Sequence, residues 1–290
     1  MRALLLGLVL AGCSASRVGT STTANPPASV VAFDRKVSWN GHVFSRLELR
    51  FEGNESAPAD ALARDLDVVH GLVERDYLAR DALVIAAWYY DHGYADVHVD
   101  PPDVRAAGDT VIVTFRIREG GVYTIAALDC YEDLGSGKRA VPLGWKTTLG
   151  PGARFARREL LDSTRAMEVT YRDLGFAYVD ARTATELDKA SHRISIVIPV
   201  LRGPFTRFQA LVFVGNKTIP EATLRKEVLV TEGDPYHETK LMNSRQRLLD
   251  TGWFLRVDVW TKKAQKEDEV VVTFELDERP QSIGAPTAMR

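Results

Sequence analysis

Gly252-Trp253-Phe254-Leu255-Arg256-Val257-Asp258-Val259 is a glycine–aromatic pair followed by a short alternating stretch, and this pattern occurs three times in the chain. The other two copies are Gly93-Tyr94 with residues 95–99 and Gly175-Phe176 with residues 177–181. The three glycines are 82 and 77 residues apart. Repetition at such a period indicates tandem copies of one structural unit.

Each copy continues through a turn into a longer β-branched run, which favours a strand. These runs cover residues 111–117, 194–200 and 270–276. They end at Gly120, Gly203 and Arg279, which lie 27, 28 and 27 residues after the glycine of their own copy. This agreement in length indicates that the three copies share one fold.

The front of the unit also repeats. Residues 47–54 and 208–216 both alternate like strands and stop at Gly-Asn, which favours a tight turn. Helix-compatible segments follow at residues 57–66 and 221–228. The middle copy begins at residues 122–130 and has a longer glycine-bearing stretch in place of Gly-Asn. Each unit is therefore predicted to run strand, helix, helix, strand, strand.

The repeated glycine is predicted to close the second helix in a left-handed conformation, which costs little without a Cβ. The aromatic residue beside it would cover the end of the core. The predicted fold is α+β, with three tandem two-layer units, each a three-stranded mixed sheet covered by two helices. The predicted boundaries are residues 41–120, 121–203 and 204–280, followed by a tail at 281–290.

The alternating stretches differ in register. Inward-facing residues lie at even offsets from the glycine in the first two copies and at odd offsets in the third. They are Ala95, Val97 and Val99, then Ala177, Val179 and Ala181, then Leu255, Val257 and Val259. Because a shift of one residue exchanges the faces of a strand, we expect an extra residue in the third helix-to-strand turn, with Trp253 and Phe254 packed near it.

The N-terminus has the pattern of a secretion signal, with a basic start and an apolar run over residues 3–11. Leu10-Ala11-Gly12-Cys13 resembles the lipobox of bacterial lipoproteins, which implies a signal peptide at 1–12 and a lipid on Cys13. An ordinary signal peptide is the alternative. Residues 13–40 are predicted to form a flexible tether. Cys130, which then has no partner, is predicted to be a buried small hydrophobic residue.

Composition and motifs point away from catalysis. The 37 basic and 39 acidic residues leave no basic excess for nucleic acid. The six histidines lack the paired spacing of a zinc site. Gly135-Ser136-Gly137-Lys138 lacks the first glycine and the hydroxyl residue of a phosphate loop. We therefore predict no catalytic residue, metal or cofactor, and we expect a non-enzymatic binding or structural protein.

The combination of strand, Gly-Asn, helix, Gly-aromatic and closing hairpin resembles the POTRA (polypeptide-transport-associated) domain over roughly residues 43–280. This resemblance implies a protein that acts in outer-membrane protein assembly or translocation, and together with the lipobox it implies a periplasmic location, held at the outer membrane by the N-terminal lipid. Its implied partners are unfolded outer-membrane proteins or envelope assembly proteins.

The resemblance also implies a mechanism. In the POTRA sheet order the second strand of each unit lies at an edge, where an extended partner can add by β-augmentation. The candidate edges are residues 95–100, 177–182 and 255–260. One alternative is that these edges are covered or unused and the chain is a scaffold arm. Another is an N-terminal fragment of a barrel-assembly protein, because the ten residues after Pro280 are fewer than the roughly 80 that a barrel needs.

Overall fold

Three mixed sheets, each with its own hydrophobic core, follow one another along the chain. The computed structural model describes residues 28–141 and 147–280. The cores contain the fully buried Phe51, Ile196 and Phe274. No helix within the described ranges is both long and apolar enough to cross a membrane. The predicted α+β fold of tandem mixed sheets with helices is confirmed.

The first unit contains more strands than the three predicted. Its elements are β1 Ser29–Phe33, β2 Val37–Trp39, β3 His42–Phe44, β4 Arg46–Glu52, α1 Ala59–Ala63, a 3-10 helix Asp67–His70, α2 Arg75–Asp91, β5 His98–Val99, β6 Asp103–Ala107 and β7 Thr110–Arg118. The five-stranded sheet runs β1-β4-β7-β5, and β6 also pairs with β7. Strands β4 and β7 are parallel, and the other pairs are antiparallel.

The predicted tether over residues 13–40 is wrong from Ser29 onward. Strand β1 pairs with β4 over all five of its residues. The β2–β3 hairpin then turns at Asn40 and Gly41, whose φ angles are 48° and 77°. The alternation in residues 29–33 is short and lies beside a Ser/Pro-rich stretch. The composition of this region therefore favoured a tether over a strand. Residues 13–27, including Cys13, lie outside the described residues.

The second unit also departs from the predicted element count. Its elements are β8 Thr124–Asp133, β9 Lys138–Ala140, α3 Arg157–Asp173, β10 Asp180–Ala181, β11 Ala184–Asp188 and β12 Arg193–Leu201. The sheet runs β10-β12-β8-β9, and β11 also pairs with β12. The described part of this unit thus has five strands and one helix, where three and two were predicted. Without a Gly-Asn turn, β8 continues to Asp133 and turns back into β9.

The third unit has the predicted three strands and two helices. They are β13 Arg207–Val214, α4 Glu221–Glu227, α5 Glu238–Asp250, β14 Phe254–Lys263 and β15 Glu269–Glu278, with sheet order β13-β15-β14. The extra residue lies at the start of β14, because Phe254 pairs with Glu278 and Arg256 pairs with Asp277. This bulge turns Leu255 outward, so the prediction that Leu255 faces inward is wrong.

Each junction between units uses the carbonyl of the repeated glycine. Gly93 and Gly175 have φ angles of 89° and 100°, in the left-handed region. The Tyr123 N–H donates to the Gly93 carbonyl at 2.8 Å, and the Thr206 N–H donates to the Gly175 carbonyl at 2.7 Å. The glycine therefore ends one unit and positions the first strand of the next.

An aspartate two residues before each glycine makes the second junction contact. Asp91 accepts a hydrogen bond from the Arg158 N–H at 2.9 Å, and Asp173 accepts one from the Thr239 N–H at 2.8 Å. Both donors lie in the first turn of the long helix of the following unit, where a carboxylate is favoured. Neither aspartate was predicted from the sequence, although Asp250 repeats the same spacing.

Candidate strand-binding edge

Strand β14 is a long, continuous sheet edge. It runs for ten residues and pairs with β15 along one side. No strand among the described residues pairs with its other side. The corresponding edges of the first two sheets are each divided into one strand of two residues and one of five. Of the three predicted edges, the third is the one that offers a continuous row of backbone groups.

A side-chain contact shows which backbone groups of β14 face outward. The Arg245 guanidinium donates to the Val257 carbonyl at 2.7 Å, so this carbonyl points away from β15. Because backbone groups alternate along a strand, the N–H and C=O groups of Val259, Thr261 and Lys263 also point outward. Arg245 covers the first carbonyl of this row, and no described strand pairs with this side of residues 259–263.

The predicted first edge, residues 95–100, is a strand only at His98 and Val99. Ala95 packs against the core of the second unit, and Val97 is buried in the first. Pro101 and Pro102, which have no N–H, separate β5 from β6. Ala95 and Val97 are therefore packing residues, and Val99 lies at the end of a two-residue strand.

The predicted second edge, residues 177–182, is interrupted in a similar way. Ala177 packs against the core of the third unit, and Val179 is buried in the second. Ala181 belongs to the two-residue β10. The hydrogen-bond ladder between this edge and β12 breaks at Arg182. The Arg182 N–H donates to the Pro199 carbonyl at 3.2 Å, but proline has no N–H to donate to Arg182.

The side chains of β14 divide between the two faces of the sheet. Val257 is fully buried and Val259 packs against the same core. On the opposite face, Arg256 pairs with Asp258 at 3.3 Å and Trp260 is 53% exposed. Lys262 and Lys263 follow at the open end, where lysines discourage permanent pairing between sheet edges.

The aromatic residues of the repeated motif pack inside their units, away from the β14 edge. Tyr94 and Phe176 meet the tyrosines that precede them by five residues, Tyr89 and Tyr171, with ring centroids 5.5 and 6.4 Å apart. Trp253 lies edge-on to Phe254 at 6.4 Å. These positions support a structural role for the six glycine and aromatic residues.

The described residues contain no group of three or more His, Cys, Asp or Glu side chains placed to hold a metal ion. Cys130 is half-buried, with its Sγ 3.6 Å from the Met167 Sδ. Burial, followed by the nearby Asp129, raises the pKa of the Cys130 thiol to about 11, so the thiol stays protonated at neutral pH.

The sequence profile of the POTRA family, described as a surface antigen variable number repeat, matches residues 48–120 and 206–279. These two segments make up just over half of the chain. The chain belongs to the POTRA family. The matched segments leave out the second POTRA unit, whose front lacks the Gly-Asn turn.

Similar proteins include outer membrane protein assembly factors named BamA. The protein of Nitratidesulfovibrio vulgaris is 25% identical over 217 residues, which cover 74% of this chain and 27% of that protein. The protein of Neorickettsia risticii is 22% identical over 242 residues, or 80% of this chain and 32% of that protein. This POTRA chain thus spans about a third or less of these relatives.

A solved structure has the same fold. The crystal structure of POTRA domains 3–5 of Haemophilus influenzae BamA superimposes with a TM-score of 0.67. The match covers 87% of this chain and 98% of that one, at 22% sequence identity. The three-unit POTRA architecture is therefore shared despite the low identity.

Proposed function

We propose that this POTRA chain binds extended segments of client or partner polypeptides by β-augmentation during outer-membrane protein assembly or translocation. The observation that carries the proposal is the open row of backbone groups at residues 259–263 of β14. The names of the similar proteins support the biological setting. Of the nine residues predicted to line edges, Val259 remains in the proposed site, where Thr261 and Lys263 join it.

Recognition through the main chain suits clients of many sequences. Val259, Thr261 and Lys263 each present one N–H and one C=O to a partner strand. At about 1 kcal/mol per bond, six hydrogen bonds give a gain similar to the cost of ordering a short peptide. Binding is therefore weak and reversible, as transfer of a client requires.

Proline at position 261 tests the edge. Thr261→Pro removes an outward N–H without removing a ladder bond to β15. A photo-crosslinking amino acid at position 262 should crosslink to an unfolded outer-membrane protein, and Thr261→Pro should abolish the product. Ala106→Pro is the matched control, because the Ala106 N–H points outward from the interrupted β6. Equal crosslinking in a folded Thr261→Pro chain would contradict the proposal.

The N-terminal part of the proposal concerns location. We infer a lipid on Cys13 and attachment at the outer membrane, facing the periplasm. The Leu10-Ala11-Gly12-Cys13 sequence supports the lipid, and the outer membrane protein assembly factors among the similar proteins support the location. Cells given a palmitate analogue should label the wild-type chain, and the Cys13→Ser variant should remain unlabelled. Labelling of the variant would contradict the anchor.

A scaffold arm is the second candidate, favoured by the hydrogen-bonded junctions. A rigid array would join a membrane-held complex to a fixed folded partner. In that case a pull-down would recover the same partner from wild-type and Thr261→Pro chains. Loss of recovery only in the Thr261→Pro chain would favour strand binding.

A further inference from the structure

Strands β4, β8 and β13 open the three repeated units. The outer sides of these strands differ among the units. In the first sheet, β1 lies antiparallel on this side of β4. In the second, β9 lies antiparallel on the same side of β8. In the third sheet, residues 233–234 exchange backbone hydrogen bonds with Phe208 at the start of β13, but no described strand pairs with its outer side. The same edge therefore accepts an antiparallel strand in two sheets and lacks one in the third.

Strands β4 and β13 correspond residue by residue near their ends. Leu49 and Leu211 each lie four residues before the glycine of the Gly-Asn turn. Leu49 pairs with Val31 of β1. The Arg46 N–H donates inward to the Asp109 carbonyl, so the backbone groups of Leu49 point outward toward β1. In the first sheet, the residue equivalent to Leu211 therefore pairs with an added strand.

Two side chains replace the missing strand at Leu211. The Leu211 N–H donates to Glu232 Oε1 at 3.2 Å, and the Arg225 guanidinium donates to the Leu211 carbonyl at 3.1 Å. Arg225 and Glu232 are themselves joined at 2.9 Å. Together they make the two hydrogen bonds that a residue opposite Leu211 would make in an antiparallel partner. We call Arg225 and Glu232 the edge plug.

The edge plug covers one residue of β13 and leaves the next outward position open. Phe213, two residues on, has its N–H and C=O directed to the same outer side, and its ring lies under the Arg225 guanidinium at 5.5 Å. The plug side chains are 37% and 38% exposed. Ion pairs with such exposure are weak, so an incoming strand can displace them.

Electrostatics keeps the plug closed at neutral pH. Burial raises the pKa of Glu232, but hydrogen bonds from Arg225 and the Leu211 N–H outweigh burial and lower it. Glu232 is therefore ionised and able to accept both bonds. Arg225 is held from its other side by Glu221 at 2.8 Å.

We propose that β13 is a second, gated edge that receives an extended client segment, antiparallel and opposite Leu211 and Phe213, when the edge plug is displaced. The antiparallel strands on the same side of the other two sheets define the kind of occupant: an alternating apolar segment such as Ser29–Phe33. This site lies across the sheet from the β14 edge, and its existence does not depend on strand binding at β14.

A peptide of residues 28–34, Ala-Ser-Val-Val-Ala-Phe-Asp, is the probe. Backbone amide NMR of the full chain would follow Leu211 and Phe213 during titration. Glu232→Ala should bind the peptide roughly tenfold more tightly than wild type, with shifts at both amides. Glu227→Ala is the matched control, because it breaks a neighbouring ion pair with Arg247 and leaves Leu211 untouched.

The outcomes separate the two edges. Shifts confined to Val259 and Thr261 in every variant, or equal affinity in wild type and folded Glu232→Ala, would overturn the gated edge and leave the β14 proposal intact. A peptide carrying Val31→Pro should not bind. If Glu232→Ala does not fold, hydrogen exchange of the wild-type chain saturated with the peptide replaces it. The amides of Leu211 and Phe213 should then gain protection. Unchanged exchange at these amides would overturn the proposal.

Discussion

At the scale of single residues, the Gly-Asn turn is required by backbone packing. Gly53 and Gly215 have φ angles of 82° and 93°, and a Cβ at either position would collide with the carbonyl of Ile117 or Leu276. The following asparagine closes the turn: the Asn216 amide donates to the Ile219 carbonyl at 3.1 Å. The close approach of the last strand thus determines the glycine, and the side-chain hydrogen bond within the turn accounts for the asparagine.

Gly215→Ala should lower the free energy of unfolding by about 3 kcal/mol, because it adds a backbone collision to the cost of a positive φ. Gly233→Ala is the matched control, since Gly233 has a φ of 89° but open space around its Cα. We expect about 1 kcal/mol for the control. Urea unfolding would measure both variants. Equal decreases in unfolding free energy would contradict the close approach of the Leu276 carbonyl to Gly215.

A buried carboxylate in the second unit makes stability depend on pH. The Glu132 side chain, 1% exposed, accepts hydrogen bonds from the Tyr171 hydroxyl at 2.7 Å and Arg139 Nε at 2.8 Å. Burial raises the pKa of Glu132, but these bonds outweigh burial and lower it. A lowered folded-state pKa means that Glu132 stabilises the fold above the ordinary glutamate pKa. That contribution is lost as pH falls through the folded-state value.

Tyr171→Phe should therefore cost about 2 kcal/mol of unfolding free energy at pH 7, because it leaves a buried carboxylate short of a donor. The difference from wild type should shrink as the pH falls through the lowered folded-state pKa of Glu132, where the carboxylate takes up a proton. The control is Tyr178→Phe, since the buried Tyr178 hydroxyl has no hydrogen-bond partner within residues 28–141 and 147–280. Thermal unfolding at several pH values would test this, and a loss independent of pH would rule out Glu132 as the cause.

At the scale of secondary-structure elements, β1 is the strand that completes the first sheet. Because the Leu49 backbone faces β1, Val31 and Leu49 form a hydrogen-bonded pair. Val31→Pro removes the donor of this pair, and the Leu49 amide should exchange at least roughly tenfold faster. Val30→Pro alters an N–H that points away from β4 and should leave Leu49 protected. Equal exchange in the two variants would show that β1 does not hold this edge.

The sequence was informative where the pattern was long and repeated, and less so where a proline interrupted it. The closing hairpin and Gly-aromatic helix ends were predictable, because their periods extend over many residues. Residues 95–100 and 177–182 alternate as β14 does, yet Pro101, Pro102 and Pro199 divide the ladder. Pro199 acts from the neighbouring strand, which a single-segment pattern cannot show.

The outward row of β14 depends on contacts between distant segments. Arg245 lies on a helix, and its bond to the Val257 carbonyl has no sequence signal. The junction aspartates did have one, because Asp91, Asp173 and Asp250 stand two residues before the three glycines. A pattern defined by the glycine–aromatic pair alone does not include them.

At the scale of the whole molecule, the junction aspartates align the units. The Asp173 carboxylate accepts hydrogen bonds from the Thr239 N–H at 2.8 Å and hydroxyl at 2.6 Å. Asp173→Ala should release the third unit, and small-angle scattering should show a larger maximum dimension and a flexible profile. Asp250→Ala is the matched control, because Asp250 bonds Gln246 of its own helix. An unchanged profile in both variants would mean that the Gly175–Thr206 hydrogen bond and apolar contacts fix the array without the aspartate.

The most direct test of the account is hydrogen exchange along β14 in the presence of an unfolded outer-membrane protein segment. We expect new protection at the outward amides of Val259, Thr261 and Lys263. The amides of Trp260 and Lys262, already bonded to β15, should not change. This alternating pattern is the signature of an added strand. Strand addition at this edge would be contradicted by an absence of new protection, or by new protection that does not alternate between outward and inward amides.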